Sequence, residues 1–435
     1  MENRYEQYKD SGIAWIGEIP EHWELRKGKN LFKLRNSKGN NNAILLAATQ
    51  KYGMIPQSQV EGVVQVKQNT DLNTFKTVHK NDYVISLRSF QGGFEMSEYE
   101  GVCSPAYQVF YSTKPCCNYF FKYMFKSYGF VSQINAFTLG IREGKNIQYE
   151  DFSLMKLPLP TIQEQQSIAT YLDQKCSEID ELITLQEEMI TKLQNYKQSV
   201  ITEAVTKGLD KNVPLKDSGI EWIGEIPEHW EVKRMKSIYN FGKGLNITKA
   251  DLVDKGISVI SYGQIHSKLN TGTCIKDSLI KYVPEIFLEN NNASLVKKGD
   301  IIFADTSEDL EGCGNCIYID RDMLLYAGYH TIIAKNISTY INRFFSYLFQ
   351  TDCWRSQIRK MVNGVKLFSI PQKLLSSTDI ITPSLSEQQS IADYLDQKCS
   401  EIDKLISIKQ QKIEKLKDYK KSLIFECVTG KRKVS

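Results

Sequence analysis

Along two stretches of the chain, mostly apolar residues recur at alternating steps of four and three positions. The first run is Leu172, Cys176, Ile179, Ile183, Gln186, Ile190, Leu193, Lys197, Val200 and Ala204. The second is Leu395, Cys399, Ile402, Ile406, Lys409, Ile413, Leu416, Lys420, Leu423 and Cys427. A sustained seam of this kind predicts two long helices, over 163–207 and 386–429, that pair as a coiled coil. The alternative is two helices packed on separate cores. Gln186 with Lys409, and Lys197 with Lys420, interrupt the seam at matching places, which suits residues that fix register. Pro160-Thr161 and Pro383-Ser384 mark the helix starts, and Gly208 and Gly430 the stops. At about 1.5 Å per residue, each helix spans roughly 67 Å. Elsewhere the period shortens to that of strands, which predicts α/β or α+β modules: the valine-rich run Val60, Val63, Val64 and Val66, then Tyr83–Leu87 and Ile301–Ala304. Aromatic-rich helices follow at Asn118–Ser127 and Asn342–Thr351. Their shared pattern (Phe120, Phe121, Tyr123 and Phe125 against Phe344, Phe345, Tyr347 and Phe349) predicts a common core, not a base-stacking platform.

The pattern is doubled because the sequence is. KDSGIAWIGEIPEHWE at Lys9–Glu24 returns at Lys216–Glu231 with one change, Ala14 against Glu221. EQQSIATYLDQKCSEIDELI at Glu164–Ile183 returns at Glu387–Ile406 with two changes. Between the boxes lie unlike inserts of 139 residues (25–163) and 155 residues (232–386). One scaffold is therefore built twice around two different surfaces. The order predicts a first recognition segment at 1–161, a helix at 162–208, a second recognition segment at 209–384, and a helix with a basic tail at 385–435.

Composition narrows the class. Over 435 residues the chain is 41% hydrophobic and 24% charged, ordinary for globular domains. No apolar run reaches the ~18 residues of a membrane span, and the N-terminus lacks a secretory signal. Ten scattered cysteines share no disulfide spacing, which points to reduced thiols and a cytoplasmic chain. A net charge of +4 permits nucleic-acid binding without demanding it.

Catalytic signatures are missing. There is no NPP[YF] or DPP[YF] tetrapeptide and no GxxxxGK[ST] phosphate loop. The one CxxC, Cys313-Gly-Asn-Cys316, has no second pair at zinc spacing. His22 and His229 sit in the doubled PEHW box and read as structural. Asp305, Glu308 and Asp309 imitate an acidic metal cluster, but Leu87, Phe90 and Gln91 stand at those places in the first half, so no shared active site lies there. Recognition candidates are better placed. Lys80-Asn-Asp and Lys298-Gly-Asp each predict a turn, a buried strand and then a polar loop that differs between copies. Loops varied on a fixed strand are how a scaffold changes specificity. Arg88 can bridge guanine O6 and N7, Gln91 can read adenine, and Asp305 can accept from cytosine N4. Ser89, Thr306 and Ser307 lie in the same loops. Arg142 and Lys145, with Lys366 in the second half, follow glycines in a pattern suited to phosphate contacts. For each of these residues a solvated surface role is the alternative.

The doubled KDSGxxWIGEIPEHWE box, the glycine-basic segment, the EQQSIAxYLDQKCSEID block and the long helix resemble the DNA-specificity subunit of type I restriction-modification systems. The resemblance covers nearly the whole chain. It implies an α+β fold: two similar target-recognition domains joined by two long antiparallel helices in a coiled coil, an internal repeat of pseudo-twofold symmetry. It also implies that each domain reads one half of a split, asymmetric site in double-stranded DNA, with the helices as a ruler. A pair of readers on one duplex would stand about one helical turn, roughly 34 Å, apart. The partners implied are two methylation subunits and two motor-nuclease restriction subunits. S-adenosylmethionine, ATP and Mg would sit on them, and this chain would bind no cofactor and carry no catalysis. The competing readings are a coiled-coil scaffold without a DNA role and a self-contained restriction or methylation enzyme.

Overall fold

In the computed structural model the described residues are 4–39, 41–50, 52–60, 70–86, 92–138, 147–289, 291–364 and 367–434. They form two compact units, one of residues 1–187 with 410–435 and the other of residues 188–409. Each unit holds one recognition segment and part of each long helix.

The helices run Ile162–Lys207 and Leu385–Val428, within one residue of the predicted limits. Every seam position is buried or half-buried. Within the first unit, Ile168, Leu172, Cys176 and Ile179 share a core with Leu423, Ile424, Cys427 and Val428. Within the second, Val200, Ile201, Ala204 and Val205 share one with Ile391, Leu395 and Cys399. In both the chain directions oppose, so the pairing is antiparallel. Each helix stops at a glycine in the left-handed region, Gly208 at φ +77 and Gly430 at φ +75, as expected of helix ends. At Gly430 there is a second reason: a Cβ would stand 2.3 Å from Pro20 Cδ.

The first recognition domain is built on a four-stranded antiparallel sheet ordered Phe32–Arg35, Gln108–Ser112, Tyr83–Ile85, Phe94–Met96. Strand alternation sorts its residues. Phe32, Tyr83, Phe94 and Phe110 face the helix Asn118–Lys126, where Phe121 and Phe125 are fully buried. Phe32 and Phe121 meet edge to face at 5.1 Å. Val84 and Val109 point the other way, to Leu46, Met54, Val78 and Cys103. The second domain repeats the sheet as Tyr239–Lys243, Thr331–Asn336, Ile301–Ala304, Cys316–Tyr318, packed on the helix Asn342–Leu348. The two inserts thus share a fold, and the aromatic helices are core, as expected. The strand predicted over Tyr83–Leu87 spans Tyr83–Ile85 among the described residues. Most of the valine-rich run lies outside them.

The second domain adds what periodicity did not reveal. A further four-stranded sheet, ordered Lys281–Val283, Ile257–Ile260, Leu325–Ala327, Leu295–Val296, includes a parallel pair. Its Ile260, Leu325 and Ala327 bury the Ile302 and Ala304 face of the first sheet. In the first domain that face meets two-stranded ribbons instead, Leu46–Thr49 with Gly53–Pro56 and Gly101–Cys103 with Lys76–Val78.

Candidate nucleic-acid interface

The doubled boxes explain how the recognition domains are held. Thr161 and Glu164 form a reciprocal cap at the start of the first long helix: Glu164 N–H donates to Thr161 Oγ1 (3.3 Å) and Thr161 N–H to Glu164 Oε2 (3.2 Å). The other oxygen of Glu164 accepts from His22 Nε2 (2.8 Å) and Trp23 Nε1 (3.3 Å). Burial alone would push this carboxyl up, but the bonds from His22, Thr161 and Trp23 outweigh it and hold it below its ordinary range. Glu387 repeats the arrangement with His229 (2.8 Å), Trp230 (3.2 Å) and Ser384, and its carboxyl is lowered in the same way. The next residue in each copy ties the helix to the aromatic helix. Gln165 donates to Pro160 O and accepts from Cys117 N–H, while Gln388 does the same with Pro383 and Ile341. His22 and His229 are therefore structural.

From this frame the central strand of each domain leaves a tight turn. Asn81 has φ +71 and Gly299 φ +96, and a buried aspartate closes each turn. Asp82 accepts from His79 N–H (2.8 Å) and makes a two-pronged pair with Arg35 (2.7 and 2.9 Å). Asp300 accepts from Lys297 N–H (3.0 Å). Burial pushes its carboxyl up.

Three of the nine sequence candidates fall among the described residues. Arg88, Ser89, Gln91, Arg142, Lys145 and Lys366 lie outside the described residues. Asp305, Thr306 and Ser307 are described. Asp305 follows the strand end. Its side chain is one-third exposed and lies 3.2 Å from His330 Nδ1. Thr306–Ser307 forms a two-residue strand against Phe368–Ser369, which lies beside the glycine-basic segment. Thr306 is half-buried. Ser307 is 1% exposed, and its hydroxyl donates to Asp309 O (2.7 Å). It shapes the loop from within.

Asp305 and Thr306 line a cleft of about 790 Å³ with Lys243, Asn246, His330, Gln372 and Lys373. It offers cationic, amide, carboxylate and imidazole groups side by side, the mixture that base edges and phosphates require. The loop is braced from below. His266 Nε2 donates to Thr306 O (2.8 Å) and Asn315 Nδ2 lies 3.1 Å from its Nδ1. Arg355 in turn donates to Asn315 Oδ1 (2.7 Å). That bond fixes the amide so that Asn315 donates to His266 Nδ1. Sequence reasoning missed His330 and Lys243. The signal lay in strand register: with Ala304 opposite Thr331, Asp305 and His330 must face each other.

No group of His, Cys, Asp or Glu able to hold a metal occurs among the described residues. Cys313 and Cys316 are buried. Burial pushes both thiols up, Cys316 to about 11. Among the described residues no helix is long and apolar enough to cross a membrane.

Comparison with known proteins agrees with this architecture. A family model for the type I restriction modification DNA specificity domain matches twice, over residues 20–194 and 227–418. The putative type I restriction enzyme MjaX specificity subunit of Methanocaldococcus jannaschii is 25% identical over 442 residues, covering 96% of each chain. The MjaVIII specificity subunit of the same organism is 27% identical over 298 residues, 67% of this chain and 66% of that protein's length. A chain from a structural study of complex assembly and conformational transition in the type I R-M system shares the fold, with a TM-score of 0.69 at 13% identity over 94% of this chain and 98% of its own. The HsdS subunit from Thermoanaerobacter tengcongensis does so with a TM-score of 0.54 at 13% identity, over 95% and 98%. Matched over both halves by the specificity model, and built twice on one frame, the chain belongs to the DNA specificity subunits of type I restriction-modification systems.

Proposed function

We propose that each recognition domain reads one half of a two-part, asymmetric DNA site, and that the chain performs no catalysis itself. One observation carries this reading: two sheets of the same order and register are followed, after their third strands, by unlike sequence. Arg88-Ser-Phe-Gln91 stands where the second domain has Thr306-Ser-Glu-Asp309, so the half-sites differ. Arg88, Ser89 and Gln91 read bases in the first half-site, with Arg142 and Lys145 on phosphates. Asp305 and Thr306 read the second, with Lys366 on phosphate, while Ser307 holds the loop in shape. The antiparallel helices set the unread spacing between the halves. Methylation and cleavage belong to partners: two methylation subunits carrying S-adenosylmethionine and two motor-nuclease subunits using ATP and Mg, in the cytoplasm.

The test is a genome-wide map of methylated adenines in cells with and without this chain, and with Arg88→Ala. Deletion should erase one two-part motif. Arg88→Ala should relax or abolish one half of it and spare the other, at a cost of about 1–3 kcal/mol at the position read. Equal loss at both halves would refute the modular assignment. An unchanged map in cells with active partners would refute the function.

A further inference from the structure

We propose that His330 reads a base edge in the half-site taken by the second domain, accepting at Nε2 from the exocyclic amino group of an adenine or cytosine. This rests on the reading of that domain as a DNA reader. His330 is a non-glycine residue at φ +55, a costly conformation that clusters where function fixes it. Its Nδ1 lies 3.2 Å from Asp305 Oδ1. An ionised carboxylate only accepts, so Nδ1 donates to it, and in the neutral imidazole Nε2 keeps a lone pair. The side chain is 57% exposed at the cleft. Two rings fix its plane: Tyr262 at 5.5 Å and 79°, and Tyr329 at 6.1 Å and 77°. The imidazole is thus oriented from one nitrogen, and no partner for the other occurs among the described residues, which is how a preorganised contact is built.

The groups around it make the contact switchable. Asp305 faces it from the strand end, Tyr329 stands beside it on its own loop, and Tyr262 packs from the short helix Tyr262–Ile265. His266 follows that helix with both nitrogens engaged. Lys243 and Lys373 line the same cleft. Burial pushes the Tyr329 phenol up, so it stays neutral. When His330 takes a second proton, both its nitrogens donate. The edge it matches then changes from an amino group to a carbonyl, from adenine N6 or cytosine N4 to guanine O6 or thymine O4. Imidazoles change charge between about pH 5 and 8. One position of one half-site should therefore swing with pH. Aligning Ile85↔Gln108 with Phe303↔Ile332 puts Ala106 at the matching place in the first domain, with nothing to titrate.

The experiment is selection from a random DNA duplex library by the full chain with its host's methylation subunit, at about pH 8.5 and about pH 5.5. A two-part motif should emerge at both. One position should move from A or C toward G or T by about five- to tenfold, the weight of one hydrogen bond, while the other half stays constant. His330→Asn also tolerates the left-handed conformation and should abolish the swing. A motif identical at both pH values, or a swing that survives His330→Asn, overturns the proposal. The wild-type comparison decides even if the variant misfolds. No two-part motif at either pH overturns the domain-as-reader assignment, and this proposal with it.

Discussion

The junctions at Glu164 and Glu387 and the segments after Ser86 and Ala304 are matched places in the two units, yet they follow opposite rules. At the junctions every residue is spoken for. One carboxylate caps a helix and holds a histidine and a tryptophan, and the next glutamine ties down a neighbouring helix. A change there breaks several bonds at once, and the two copies agree almost letter for letter. At the loops the strand behind is fixed by its buried face, but the sequence beyond it is not shared between the copies. They differ from the first residue on. Identity marks where one side chain serves several neighbours, and divergence marks the segments proposed to meet DNA.

The sharpest way to break that comparison is at the centre of a junction. Trp23 and Trp230 are both fully buried. Trp23→Ala should cost about 3–5 kcal/mol and open the first unit to amide hydrogen exchange while leaving the second protected, and Trp230→Ala should do the reverse. Equal deprotection of both units by either variant would mean that the copies are not independent frames.

A smaller effect separates the turns beneath the loops. Asp82 is 3% exposed and paired with Arg35. Register puts Gly242 in Arg35's place in the second domain, and Asp300 has no cation at ion-pair distance among the described residues. Arg35→Ala strands a buried carboxylate and should cost about 1–3 kcal/mol, whereas Asp300→Asn should cost less than about 1 kcal/mol. Chemical denaturation of each variant reads the difference. Similar losses would show that the arginine is not what steadies Asp82.

The junction carboxylates come next. Glu164 and Glu387 titrate below their ordinary range when folded. Their stabilisation is therefore complete above the unfolded value of about 4.3 and is lost as pH falls through the folded one. Glu164→Gln should lower stability by about 1–2 kcal/mol at neutral pH and flatten the acid limb of the melting curve. An acid limb as steep as wild type would assign the acid sensitivity to other groups.

What the sequence made legible tracks this division. The helices, their glycine stops and the aromatic cores could be read because each depends on a local period or a local breaker, and the two-domain plan because the sequence is doubled, while the α+β class came with the family resemblance. The second sheet of the second domain could not. Its strands are short and pair across long separations, with Ile257–Ile260 lying parallel to Leu325–Ala327, and no local period records such a partnership. Of the candidate site, Asp305 and Thr306 were visible by contrast with the first copy. His330 was not, since its role depends on a strand register that brings residues 25 apart together. Ser307 looked like a contact because exposure cannot be read from a loop's polarity.

The smallest predicted effect bears on the helices, where the copies agree in a different way. Lys197 and Lys420 interrupt the seam at matching positions, and each reaches an aspartate of the opposite helix. Lys197 Nζ meets Asp403 at 2.7 and 2.8 Å, and Lys420 Nζ meets Asp180 at 2.7 and 2.6 Å. Both aspartates are more than half exposed, so water screens the pairs and each should contribute about 0.3–1 kcal/mol. Their larger role is register, since a slip of one heptad would separate both pairs together. Lys197→Met should therefore barely move the melting temperature, and the double variant with Lys420→Met should loosen pairing. Cysteine cross-linking between the helices reads this directly, as a single product in wild type and several registers in the double variant. One register in both would leave the apolar seam as the sole determinant of alignment.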